Sequence, residues 1–458
     1  MSKGSCEKRW QTFGTFFISS LQKADAKFNF VDSHTLSGKA DEEIVRLSFF
    51  IARNAIRLTR ASGWINEKKG GRKMSEARVY ADRFQTAFSR QEDFLDFLKK
   101  VGKASFWDRR KSKDLRLVAF ERESQLEKDL RKQYSAERLD TGILDDTLDN
   151  TGLLLKVKRN YYPVRNCAIR TILDRAGVSG PALKRLDKHI YVRILNDCLK
   201  VAKGEALVRF SEGKISAVLG GDSHEYAILD MEQLFLRSVE YLQEKFKGCT
   251  YMGGFYDHSM ASALWALDGE DELLRAYKKE LSFHGMDPED MQLKPVLRIS
   301  TSNTGESGAN IFPMLFAGRE QKVISLGSPL SVRHKGGATL QQFEEQLDMV
   351  YGKYQLAIGR LAELLTVEIQ HPVPCMLSVM KKLNIPKRYA AEAADLFRAQ
   401  YGEDPCTAYQ VYYGISEVIF MLETEGESGT KIADMEEKVA RALGIRWKDY
   451  DLAWEIKC

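Results

Sequence analysis

The sequence lacks most of the features by which a function is usually read. Its seven cysteines, Cys6, Cys167, Cys198, Cys249, Cys375, Cys406 and Cys458, are odd in number and widely spaced, with no CxxC pair. That argues against a disulfide framework and a zinc ribbon, and for reduced, mostly buried thiols in a reducing cytosol. No run approaches the ~20 apolar residues a membrane-spanning helix needs, so no membrane partner is expected. The opening MSKGSCEKRWQTFGTFFISSL has no uninterrupted apolar segment followed by small residues, and no secretory signal is expected. No GxxxxGK[ST], no HExxH, no GxSxG and no GxGxxG after a strand occurs. Histidine is scarce, and only His371, with Cys375 four positions on, has a second His or Cys at that spacing; one such pair is too few ligands for a site. No metal site and no cofactor is therefore expected. His224 and His258 stand beside carboxylates, but adjacent residues usually point apart, so the spacing does not make an acid–base pair.

What is present is an ordinary globular composition with an uneven charge. Hydrophobic residues make up 44% and charged residues 29%, with mean hydropathy −0.36. A chain of 458 residues is expected to form two or three domains. Residues 1–138 carry 30 Lys and Arg against 19 Asp and Glu, and the rest carry 39 against 45. The basicity belongs to the N-terminal third and predicts an acidic partner, nucleic acid first.

Two places concentrate it. Residues 41–62 read as a helix with Ile44, Leu47, Phe50, Ile51, Ala55 and Leu58 on one face. Arg46, Arg53, Arg57 and Arg60 form a stripe on another. Residues 75–104 read as a second helix or helix pair. The run KKVGKASFWDRRKSKDLR (99–116) then holds eight Lys and Arg against two Asp. Lys99, Lys100, Lys103, Arg109, Arg110, Lys111, Lys113 and Arg116 suit phosphates, and Trp107 suits an unpaired base. A solvated face or loop explains the same residues equally simply.

A boundary is expected near 141–150. LLLKVKRNYYPV (153–164) reads as a strand closed by Pro163. A helix pair follows, its second member opened by Ser179-Gly180-Pro181. Ala206–Phe210 and Ile215–Leu219, joined by SEGK, read as a hairpin, and a helix follows Ile228. Lys294–Ser300 and Val323–Leu326 read as strands. One long helix is expected from Leu340 to Val367, stopped by Pro372 and Pro374, then four helices near 376–384, 388–400, 406–423 and 430–443.

The least ordinary stretch is LRISTSNTGESGANIFPMLFAGREQKVISLGSPLSVRHKGG (297–337). A polar cluster following a strand, with Ser302, Asn303, Thr304 and Gly305, can hold an anion on backbone amides and hydroxyls. If 294–300 and 323–326 are neighbouring strands, Arg333 falls near that loop, with His334 beside it. The plainer reading is a tight buried loop whose hydroxyls satisfy backbone groups.

The order of these segments resembles the phage/plasmid-like protein family built on a domain of unknown function. Ala217-Val218-Leu219 matches the family's second hairpin strand. Ser302-Asn303-Thr304-Gly305 is similar to its "NSEVG"-like loop, Arg333-His334-Lys335-Gly336 to its "RHxG" element, and TAYQVYYGISEVI (407–419) to its late segment. The likeness runs over roughly residues 150–425. Gly220-Gly221-Asp222-Ser223 stands where the family has a shorter turn, and its Cys-Thr-Asn-Gly element is missing, with Leu326-Gly327 in its place. The resemblance implies a cytoplasmic protein of a phage or plasmid in a bacterial host. It brings no catalytic residues.

The expectation is an α+β, helix-rich protein with a small mixed or antiparallel central sheet. A basic helical region spans 1–140, an α+β domain 150–370 and a helical region 375–458. Three functional readings stand: a non-enzymatic nucleic-acid-binding protein in replication, recombination or DNA protection; a protein-binding counter-defence or assembly factor occupying a host protein; and an enzyme acting on nucleic acid or nucleotides through the 300–337 site. Oligomeric state is not legible.

Overall fold

A computed structural model describes residues 78–453 apart from 247, 270, 290, 318–321, 328, 426 and 428. The expected helix over 41–62, with Arg46, Arg53 and Arg57, lies outside the described residues. The described residues belong to one compact unit. The class is α+β, as the sequence predicts.

In chain order, β1 (Gln85–Phe88) precedes α1 (Gln91–Lys103), β2 (Ser105–Lys111), β3 (Arg116–Ala119), α2 (Gln125–Ala136) and α3 (Gly142–Asp149). Then come β4 (Leu153–Val157), β5 (Asn160–Pro163), α4 (Ala168–Ala176), α5 (Lys188–Val201), β6 (Glu205–Ser211), β7 (Lys214–Gly220) and α6 (Met231–Lys245). The large sheet follows: β8 (Gly248–Asp257), β9 (Ala261–Asp268), α7 (Asp271–Phe283), β10 (Lys294–Thr301), β11 (Ala309–Ala317), β12 (Lys322–Ser325) and β13 (Leu330–Val332). The C-terminal helices are α8 (Leu340–Asp348), α9 (Val350–Glu363), α10 (Pro372–Lys382), α11 (Lys387–Tyr401), α12 (Ala408–Glu425) and α13 (Gly429–Ala440).

The central sheet is larger than expected. Seven antiparallel strands run β1-β8-β9-β10-β11-β12, with β13 also on β11. Its alternation buries both faces. Leu297 pairs with Trp265 on one face, where Trp265 meets Phe235 of α6 and Tyr251. Arg298 pairs with Phe312 on the other, where its guanidinium makes a two-pronged bond to Glu436 of α13 and lies 4.3 Å from the Phe312 ring centroid. A strand with inward residues on both sides cannot show a clean two-residue polarity period.

Two three-stranded sheets, β2-β6-β7 and β3-β4-β5, share a second core with α4 and α5. The β6–β7 turn fulfils the SEGK reading. Glu212 and Gly213 both take positive φ, the geometry of a tight two-residue hairpin.

Several expected elements differ. Residues 75–104 hold strand β1 before α1, because Gln85–Phe88 completes the edge of the large sheet beside β8. Residues 153–164 form the β4–β5 hairpin rather than one strand, turning at Lys158 with φ 57°. Ser179-Gly180-Pro181 opens only a short turn, and α5 starts eight residues after Gly180 with Asp187 as its cap. The long helix is two, α8 and α9, meeting at Met349. Pro372 opens α10 instead of stopping a helix, since a proline in the first turn has no amide to waste.

Candidate functional site: a buried polar seam between two sheets

The Leu297–Gly337 stretch folds into β10, a loop, β11, β12 and β13. β10 and β12 are not neighbours, because β11 lies between them. The loop is the tight one. Ser302 Oγ accepts the amides of Thr304 (3.1 Å) and Glu306 (3.3 Å), and lies 3.0 Å from Thr304 Oγ1. Ser302 and Thr304 are buried. The Gly305 carbonyl accepts from Arg170 of α4 at 2.9 Å. Gly305 takes φ 72°, and a Cβ there would stand 2.8 Å from Leu219 of β7, so the loop is pressed against the small sheet. The amides of Thr304 and Glu306 are occupied by Ser302 and do not point at a vacant anion cradle.

His334 joins the loop and Arg333 does not. His334 is 5% exposed, and its Nδ1 donates to the Ala227 carbonyl (3.1 Å). Its Nε2 is then the acceptor for Thr301 Oγ1 at 3.4 Å. Burial lowers its pKa. Its ring stacks on Tyr226, whose hydroxyl donates to the Ser302 carbonyl (3.4 Å). Arg333 is exposed.

Tyr226 continues to Trp107, with ring centroids 5.7 Å apart, and the Arg209 guanidinium lies 5.8 Å from the Trp107 ring. Trp107 of β2, Arg209 of β6 and Ala217 of β7 are register partners across the small sheet. The seam is thus the place where this sheet meets the loops of the large one. Trp107, expected as a base-stacking ring, is half-buried within it.

Around the seam lies a set of buried charges that no linear motif announces. Lys214 is wholly buried and donates to Asp82 (2.9 Å) and to Asp146. Arg165, also wholly buried, lies 3.8 Å from Asp82 and donates to the carbonyls of Tyr80 (2.8 Å) and Ser211 (3.3 Å). His258 bonds the Ala81 carbonyl at 2.9 Å, and burial with Arg165 nearby drives its pKa down to about 2. Asp257 accepts the amides of Ser259 and Met260, yet burial pushes its carboxyl up to about 6. The hint in the sequence was charge at inward strand positions. Arg209 alternates with Val208 and Phe210, and Lys214 begins β7.

The remaining basic residues behave differently. Arg109 pairs with Glu205 (3.7 Å) and Arg110 with Asp108. Lys99, Lys100 and Lys103 at the end of α1, Lys111 ending β2, Lys113 and Arg116 are exposed. None of these six has an ion pair or side-chain hydrogen bond among the described residues. Arg116 also faces Lys156 across the β3–β4 ladder, and like charges in register repel. Phe106, 55% exposed, stands between the two halves of the run and stacks on Phe210 at 4.4 Å.

No family model, no curated protein and no solved structure matches the chain.

Proposed function

We propose that this is a cytoplasmic mobile-element protein that binds nucleic acid without cleaving it, and that the 99–116 run is the contact. The observation that carries the reading is selective neutralisation. Two of the eight cations in the run meet carboxylates, while Lys99, Lys100, Lys103, Lys111, Lys113 and Arg116 stay exposed and unpaired among the described residues, around an exposed Phe106. Six free charges at the end of α1, the end of β2, the turn after it and the start of β3 attract a polyanion, and a partly exposed ring adds stacking to an unpaired base. The family resemblance supports a mobile-element setting.

The test is fluorescence anisotropy with single- and double-stranded DNA and RNA across salt concentrations. Binding that weakens steeply with salt, and that weakens further in Lys111→Glu/Lys113→Glu/Arg116→Glu, supports the reading. Absence of binding at low salt ends it. Among the described residues β2 pairs only with β6, and its outer edge favours the second reading, capture of an extended segment of a host protein. A host protein recovered on the full chain regardless of nuclease treatment, and lost when Trp107→Pro disrupts that edge, would move the assignment there.

A further inference from the structure

Charge in the buried seam does not balance. Lys214 and Arg165 are offset by Asp82 and Asp146. His258 is neutral, since its pKa is driven down. Arg209 is left over. It is 4% exposed, and no carboxylate lies within ion-pair distance of it among the described residues. Its Nη1 donates to Ser216 Oγ (2.9 Å) and its Nη2 to Ser105 Oγ (3.3 Å), both neutral acceptors, and its Nε has no partner. Arg165 is close enough to repel it, and the Arg165 Nε is likewise unpartnered. Two acids lie in the neighbourhood without neutralising it. Glu212 feels both arginines but is bonded to neither, and Asp257 spends its carboxylate on backbone amides. Glu306 lies near Asp257 and Cys167 and makes no ion pair among the described residues.

A buried guanidinium without a counter-charge is a large unfavourable term that packing alone has no reason to keep, because an apolar side chain of the same size would cost less. A bidentate donor fork is the group best matched to a phosphate. Trp107 and Tyr226, both half-buried, are the rings beside this fork, and flat rings suit a nucleobase.

We propose that Arg209, with Ser105 and Ser216, receives the phosphate of a nucleoside monophosphate group whose base stacks on Trp107. The group is carried either by a free nucleotide or by the phosphorylated end of a strand. The site extends the nucleic-acid reading to a second location and uses none of the 99–116 cations, so the two fail separately.

The experiment uses the full chain and follows thermal unfolding and tryptophan fluorescence with adenosine 5′-monophosphate, adenosine and inorganic phosphate. Wild type should be stabilised by the monophosphate and not by adenosine, and the fluorescence change should be lost in Trp107→Phe. Arg209→Met should equal or exceed wild type in stability without ligand and lose at least tenfold in affinity, about 1.4 kcal/mol. Equal binding of adenosine, no binding of either phosphate, or unchanged affinity in Arg209→Met overturns the site. If Arg209→Met fails to fold, Arg209→Lys keeps the charge without the fork. It should also bind about tenfold or more weakly, and unchanged affinity there overturns the site. The source is read in Lys99→Glu/Lys100→Glu/Lys103→Glu with 5′-phosphorylated and unphosphorylated oligonucleotides. A preference for the phosphorylated strand over the free nucleotide assigns the site to strand ends, and equal binding assigns it to nucleotides.

Discussion

The rings of Tyr226 and His334 lie parallel, 2° apart in plane and 5.1 Å apart in centroid, and the next residue, Ala227, is bonded to His334 twice: its amide donates to the His334 carbonyl (3.2 Å), and the His334 ring donates to its carbonyl. This double link ties the segment after β7 to the segment after β13. It makes His334 a structural clasp between the two segments, with Thr301 Oγ1 3.4 Å from its second nitrogen.

His334→Ala should accordingly destabilise the fold by about 1–3 kcal/mol, the cost of leaving a buried carbonyl without its donor. Urea unfolding measures it. A variant of unchanged stability that loses a nucleic-acid or nucleotide activity would return His334 to the list of reactive groups.

Lys214 and Asp82 are both wholly buried in side chain, 2.9 Å apart. Lys214→Met strands Asp82 and Asp146, and should cost about 3–5 kcal/mol, whereas the pair exchange Lys214→Met/Asp146→Asn, which leaves Asp82 to Arg165 and keeps an acceptor for the Asp82 amide, should recover much of it. A double mutant no more stable than the single one would contradict this pairing.

The pH profile should show opposing contributions. His258 and His334 are held below the ordinary imidazole pKa, so the unfolded chain takes up protons that they refuse, and stability falls as pH drops below about 6.5. Asp257 is raised to about 6 from 3.8, so its burdened carboxylate is relieved by protonation, and stability rises over that window as pH drops. Asp257→Asn keeps the acceptor for Ser259 and Met260. It should be more stable than wild type at pH 7–8 by about 1–3 kcal/mol and should lose stability more steeply below pH 6. Parallel profiles would refute the assignment.

Gly414 on α12 has Phe397 of α11 against it: a Cβ there would stand 2.6 Å from Phe397 Cδ2. Gly414→Ala should cost about 1–3 kcal/mol from overpacking, despite the better helix propensity of alanine. A gain in melting temperature would mean that the two helices can separate freely.

If six phosphate-facing cations each release about one counterion, the slope of log K against log salt should approach −5 on duplex DNA. Reversing Lys111, Lys113 and Arg116 should make it shallower by about three. A slope unchanged by that reversal places the contact elsewhere.

Local pattern carried the elements whose signal is local. The SEGK hairpin, the strand at 294–300 and the four C-terminal helices follow from turn chemistry and from 3.6-residue apolar spacing, and the structure has them within a few residues. The exposed status of Lys99, Lys100 and Lys103 also follows, since α1 buries Phe94, Leu98 and Val101 on its other side. The class, α+β, was determined at this level.

Tertiary structure decided what depends on partners distant in the chain. Gln85–Phe88 is a strand because β8, far along the chain, offers it an edge. Arg333 and His334 part company because the chain turns after β13, the Lys335 amide bonding back to the Arg333 carbonyl, and this leaves one side chain in solvent and sets the other on Tyr226. Arg109 and Arg110 are neutralised by Glu205 and Asp108, while Arg209, inside an apolar strand, is stranded without a carboxylate. Periodicity reports which face a residue occupies. Whether a charge on that face meets a partner is set by which strands and loops pack over it, and only the folded chain brings those together.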